Sequence, residues 1–339
     1  MTNLEIRNKA RELLMPACRV CPECNGVACR GEVPGMGGKG TGASFINNYN
    51  AVNAISINMR VVHDVKEADT SCELFGQKMA LPVFGAPMTG TVNSMGGKLT
   101  DLEFFKVFAT GCQQAGILAS LGDAKSEEIM LNGLNYLEES GTKALVFIKP
   151  WLNQELLKRV TKINPVNSPV IGSDLDGCGL IMMNEPGMGV FPKSKGELKE
   201  LMDQIDLPFI IKGVLTVEDA VACYEAGAKG IVVSNHGGRV LDYARATAEA
   251  LPPIVAALKG KLTILVDGGV RNGVDVFKML ALGADGVMIG RPFVTYGFGG
   301  GSEGIAMYVD RLKDELKSTM LLTGAATLAD IKPSMVNQK

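Results

Sequence analysis

The chain has 339 residues, 46% of them hydrophobic and 21% charged, with a formal net charge of −2. Such a chain can bury one large core, and barrels often exceed the ~150 residues of an average domain as one unit. There is no basic surplus to suggest nucleic acid or an anionic membrane as partner. No apolar run reaches the ~18 residues of a membrane helix. The N-terminus has no basic start followed by an apolar stretch, so no secretion signal and a cytoplasmic location are expected.

Residues 4–15 have the pattern of a short amphipathic helix. A cysteine-rich segment and a glycine-rich stretch, 31–42, follow with little periodicity. Residues 1–80 are therefore read as an extension or cap, 81–325 as the main fold, and 326–339 as a tail. From residue 81 a rhythm begins of short apolar runs separated by helical patterns. The predicted strands cover 81–87, 116–120, 143–149, 169–174, 208–213, 230–235, 262–268 and 285–290. Helices are predicted over 198–205, 217–226, 246–258, 274–282 and 303–322. Eight strands alternating with helices predict an α/β fold, a (β/α)₈ TIM barrel.

In such a barrel the active residues follow the strand C-termini. The polar and glycine residues do gather there: Ser120, Lys149, Asp174, Lys212, Ser234 to Arg239, Asp267 to Arg271, and Gly290-Arg291. The turns Asp267-Gly268-Gly269 and Gly290-Arg291 suit a phosphate, held by backbone N–H groups and a helix N-terminus, with Arg271 or Arg291 adding donors. Lys212 suits an anionic cofactor or substrate, a Schiff base, or a structural ion pair. His236, one of two histidines, sits beside glycines and Arg239. It suits a proton acceptor, and Arg239 a carboxylate clamp. His63 reads as structural. Asp174 is the candidate partner for His236, on the logic of a triad's third member.

Cys18, Cys21, Cys24 and Cys29 crowd into one segment. Their spacing is close to that of an iron–sulfur or zinc site. A thiol–disulfide pair and unligated packing are the open alternatives. Cys72, Cys112, Cys178 and Cys223 read as small buried hydrophobes.

The runs SNHGGRVLD (234–242), ALP (250–252), VDGGVRNGVDV (266–276), ALGA (281–284) and IGRP (289–292) resemble the FMN-dependent α-hydroxy acid dehydrogenase/oxidase family. The resemblance extends over roughly residues 60–325. It implies a (β/α)₈ barrel with FMN at its C-terminal mouth and oxidation of a small, lactate-like 2-hydroxy acid to the 2-oxo acid. Asp267, Gly268, Gly269, Arg271, Gly290 and Arg291 would hold the FMN phosphate and ribityl chain. Lys212 would face the flavin N1/O2 edge, Ala86, Pro87 and Met88 one face of the ring, and Ser120 its edge. Ser234, His236 and Gly237 complete the implied cofactor shell. His236 would be the base, Asp174 its partner and Arg239 the substrate anchor. Assembly as a tetramer or larger is also implied; the electron acceptor, oxygen or a redox protein, is not.

The chain departs from the family where the substrate carboxylate is held. Residues 34–43 (PGMGGKGTGA) contain no tyrosine, 147–151 read FIKPW where the family has glutamine and tyrosine, and 175–180 (LDGCGL) lack an arginine. Lys149 is the candidate to take over part of the anion binding. These departures keep two alternatives open: an FMN barrel of other chemistry, on the pattern of type 2 isopentenyl diphosphate isomerase, and a flavin or metal redox sensor using the cysteines.

Overall fold

The computed structural model describes residues 1–183, 187 and 189–338; Lys339, the end of the expected tail, lies outside them. The N-terminal helix α1 (Asn3–Leu14) starts with a capping box, Thr2 and Glu5 each accepting from the other's backbone N–H. The helix α2 (Ala43–Ala54) has no helical apolar stripe; it buries Ser44, Phe45, Asn48 and Val52. A short strand, β1 (Ile55–Ile57), follows, and then the hairpin β2 (Cys72–Leu74) and β3 (Gln77–Met79). No helix forms around His63, whose Nε2 lies 3.0 Å from the Arg60 carbonyl.

Eight parallel strands then close on themselves: β4 (Val83–Gly85), β5 (Ala119–Gly122), β6 (Ala144–Ile148), β7 (Ile171–Asp174), β8 (Phe209–Val214), β9 (Gly230–Val233), β10 (Thr263–Val266) and β11 (Gly286–Ile289). Their order in the sheet is β4-β11-β10-β9-β8-β7-β6-β5. A parallel bridge from Phe84 to Leu118 joins the two ends and completes the (β/α)₈ barrel. Nearly every strand residue is buried. Burial on both faces is why these strands read as continuous apolar runs rather than alternating ones.

The connecting helices are α3 (Thr91–Ser94), α4 (Asp101–Gln114), α5 (Glu127–Ser140), α6 (Asn153–Val160), α7 (Lys195–Met202), α8 (Val217–Ala226), α9 (Thr247–Leu258), α10 (Gly273–Ala281) and α11 (Arg291–Leu321). The last starts twelve residues before the predicted one. The added turns carry glycines 297, 299, 300 and 301, of which only Gly301 departs from helical geometry, at φ 63°. Gly299 is there for contact: a Cβ on it would run into the Ile6 carbonyl of α1. Phe108 of α4 packs on Phe293 of α11 at 5.4 Å, and Phe293 in turn meets Tyr308, further along α11, at 5.2 Å. Such pairs are worth ~0.5–1.5 kcal/mol each beyond area burial.

The last residues do not hang free. β12 (Val336–Gln338) pairs antiparallel with β1, Ile55 opposite Gln338 and Ile57 opposite Val336. No helix among the described residues is long and apolar enough to cross a membrane.

Candidate active site

The C-terminal ends of the strands open into a cavity of about 470 Å³. It is lined by Ala86, Pro87 and Met88 after β4, Lys149 after β6, and Lys212 on β8. His236, Gly237 and Arg239 reach it after β9, Asp267 to Arg271 after β10, and Gly290 and Arg291 after β11. The sequence had placed most of these together, and the fold does so. The N-terminal segment contributes Val33, Pro34 and Met36.

Three expected members lie behind this lining. Ser120 is fully buried inside β5, which runs two residues further than predicted, to Gly122. The pairing of Gly122 with Phe147 extends the strand, so Asp123, Ala124 and Lys125 face the cavity instead. Ser234 is also fully buried, at a junction: its Oγ accepts from Lys212 Nζ at 2.9 Å and from the His236 N–H at 3.0 Å, and donates to Asp267 Oδ2 at 2.9 Å. Lys212 Nζ lies 3.3 Å from that same carboxylate oxygen. Burial opposes the charge on Lys212, but Asp267, Asp176 and Asp174 outweigh it and raise its pKa.

The third is Asp174, and here the sequence reading is corrected. The carboxylate bonded to His236 Nδ1 is Asp176, at 3.0 Å; Asp174 stands 3.9 Å away. Asp174 is the last residue of β7, and the 3₁₀ turn Leu175–Gly179 swings Asp176 back beneath the imidazole. Asp174 instead accepts from Lys149 Nζ at 2.5 Å. Burial would raise the Asp176 pKa, but His236, Lys212 and Lys149 bring it down to about 2. Burial lowers the His236 pKa, opposed by Asp176 and reinforced by Lys212 and Lys149, so it stays below its ordinary 6.5.

The His236 backbone is held in an unusual shape. Its φ is +57°, in the left-handed region that side chains other than glycine's avoid. The preceding Asn235 is pinned by Asn48 of α2, each amide nitrogen donating to the other's oxygen at 2.7 and 3.0 Å. Asp242, from the same loop, accepts the N–H groups of Thr41 and Ala43 at the start of α2. The N-terminal segment thus orients the loop that carries His236.

Three arginines tie that segment across the mouth. Arg271 donates to the Cys24 carbonyl from Nε at 3.0 Å and Nη2 at 2.8 Å, and to Val270 from Nη1. Arg291 donates to the carbonyls of Met36, Gly37 and Gly237, with its guanidinium 3.7 Å from the Phe45 ring centre. Arg239 donates from Nη2 to the Gly35 carbonyl and to Ser94 Oγ, while its buried Nε has no protein partner among the described residues.

The sulfurs of Cys18, Cys21, Cys24 and Cys29 are not drawn together as a four-thiolate metal site would hold them. All are free thiols, and among the described residues no three of their sulfurs lie within 4.8 Å of one another. The segment's carbonyls face arginines instead, Arg7 bonding Cys21 and Arg271 bonding Cys24. Burial, with the other three thiols adding to it, pushes Cys18 up to about 11.

The open donors fit FMN. No side chain caps the N-terminus of α11, which leaves it available to a phosphate. A Cβ on Gly290 would meet only Ala86 Cβ and Met88 Sδ, both at 3.8 Å, so the backbone there is open to close approach. Asp267 Oδ1 is buried with no protein partner among the described residues.

The sequence model of the FMN-dependent dehydrogenase family matches residues 35–164 and 190–338. An L-lactate oxidase of Lacticaseibacillus rhamnosus is 33% identical over 336 residues, covering 88% of this chain and 87% of that protein. A peroxisomal (S)-2-hydroxyacid oxidase of Arabidopsis thaliana is 32% identical, covering 84% and 85%. A 4-hydroxymandelate oxidase of Amycolatopsis orientalis is 30% identical, covering 89% and 93%. A crystal structure of mandelate oxidase superposes with a TM-score of 0.78 at 27% identity, covering 99% and 97%.

Proposed function

Because the chain belongs to the FMN-dependent dehydrogenase family, we propose that it oxidises a small, lactate-like 2-hydroxy acid to the 2-oxo acid, with His236 as the base. FMN, when bound, supplies the two-electron acceptor. Ala86 to Met88, Lys212, Asp267 to Gly269, Gly290 and the start of α11 would hold it.

One observation carries the reading. His236 faces the cavity with Nδ1 bonded to Asp176 at 3.0 Å, which fixes the tautomer and leaves Nε2 to accept the substrate hydroxyl proton. The resulting imidazolium is stabilised by the carboxylate beneath it. Arg239, on the same loop, anchors the carboxylate through the donors that the Gly35 and Ser94 contacts leave open. Lys212, buried and charged, faces the site where negative charge develops.

The test is anaerobic. The purified flavoprotein is mixed with glycolate, (S)-lactate and (S)-mandelate, and with 2-hydroxy-2-methylpropanoate, which has no hydrogen on carbon 2. Bleaching of the flavin absorbance by (S)-lactate and not by the methylated acid is expected. No bleaching by any 2-hydroxy acid overturns the proposal.

A further inference from the structure

We propose that Lys149 is a positioning residue that occupies Asp174, so that only one carboxylate, Asp176, acts on His236. The inference rests on the reading of His236 as the base. Its starting point is the segment 147–151, where the family's glutamine and tyrosine are missing.

Lys149 Nζ bonds Asp174 Oδ2 at 2.5 Å, and that same oxygen lies 3.9 Å from His236 Nδ1. Both side chains of the pair are nearly excluded from solvent. Their separation is not left to chance. The Lys149 backbone N–H donates to Asp123 Oδ2 at 3.1 Å, and Trp151 Nε1 donates to the same oxygen at 2.7 Å. Arg159, stacked over the Trp151 ring, bonds the other oxygen of Asp123 at 2.6 Å. Lys149 is thus built onto a buried hub after β6 and reaches across to the end of β7.

The groups around His236 come from five other elements and from its own loop. Asp176 belongs to the turn after β7, Asp174 to the end of β7, Lys149 to the loop after β6, and Lys212 to β8. Asp267, after β10, acts through Ser234, and Arg239 lies three residues along the loop of His236 itself. With Lys149 in place, two lysines face three carboxylates. Without it, Asp174 is an uncompensated buried carboxylate beside the imidazole and favours its protonated form. A base must be unprotonated at working pH, so Lys149 keeps His236 competent. The downward push of Lys149 on the His236 pKa agrees with this.

The chain has two histidines, so the imidazole can be followed directly. Histidine-labelled FMN-bound protein, with H63Q to assign the signals, is titrated by NMR. K149M is expected to raise the His236 titration midpoint by about one pH unit and D174N to lower it. K149R leaves it in place, and K149M/D174N returns it toward the wild-type value. The acid limb of kcat/KM follows the same order. If K149M fails to fold, the downward shift in D174N carries the test. A midpoint unchanged in every folded single variant overturns the inference. A midpoint that moves while the acid limb of kcat/KM stays fixed upholds the inference and overturns the assignment of His236 as base.

Discussion

Asp176 Oδ1 and His236 Nδ1 are joined at 3.0 Å across 60 residues of sequence. The bond fixes which imidazole nitrogen is free for chemistry. D176N should therefore cut kcat by ~10²–10⁴-fold, the range of general acid–base catalysis, with FMN content unchanged. Stopped-flow reduction of the flavin by (S)-lactate measures the loss.

Arg239 has a buried Nε with no protein partner among the described residues. R239K keeps the charge but loses the planar fork. We expect KM for the 2-hydroxy acid to rise by about 10-fold or more, the cost of one charge-assisted hydrogen bond of ~1.5–3 kcal/mol, with a smaller effect on kcat. Initial rates across substrate concentration separate the two.

The pH response follows from His236 and Asp176. The unfolded histidine takes a proton near 6.5 and the folded one only at lower pH. Its contribution to stability is complete above 6.5 and is lost as pH falls. Asp176, at about 2 folded against 3.8 unfolded, contributes fully above 3.8 and is lost as pH falls toward 2. Both make the fold acid-labile, and kcat/KM should decline below pH 6.5 with a single proton. Tm measured from pH 8 to pH 4 should fall less steeply in H236Q than in the wild type.

Trp151 is the single tryptophan of the chain, and its indole bonds Asp123 at 2.7 Å. D123A strips Arg159, buried beside the ring, of its carboxylate partner at 2.6 Å and leaves it the partly exposed Glu155 at 3.0 Å, while the Trp151 indole and the Lys149 N–H lose their acceptor. The expected cost is ~3–5 kcal/mol, seen as a lower urea midpoint and a red-shifted tryptophan emission. D123N, which keeps an acceptor oxygen, should cost less.

Gly269 adopts φ +83°, and a Cβ there would run into the Asn48 carbonyl. G269A should cost ~2–4 kcal/mol, combining backbone strain with the clash. Because Asn48 also holds Asn235, FMN affinity and kcat should fall together. Thermal unfolding and flavin release by ultrafiltration would show it.

The eight strands were legible because a strand buried on both faces is an unbroken apolar run, and β4 to β11 all fall within or beside the predicted segments. The helix α2 was not legible. Ala-Ser-Phe-Ile-Asn-Asn-Tyr-Asn shows no apolar stripe, because its buried face is partly polar: Ser44 bonds the Leu241 carbonyl and Asn48 bonds Asn235. Those partners lie about 190 residues away and leave no local trace. Asp174 and Asp176 posed a similar problem. Two like carboxylates two residues apart are equivalent in sequence, and only the turn after β7 decides which one the imidazole meets. The cysteine spacing carried a different ambiguity, since dense thiols mark metal sites and tight loops alike.

The arginine ties of residues 24–37 also bear on how the mouth of the cavity opens. Arg239 and Arg271, from the loops after β9 and β10, and Arg291, at the start of α11, all donate to backbone carbonyls of this one segment. Freeing the segment means breaking all three attachments together, a cooperative local opening rather than independent fraying.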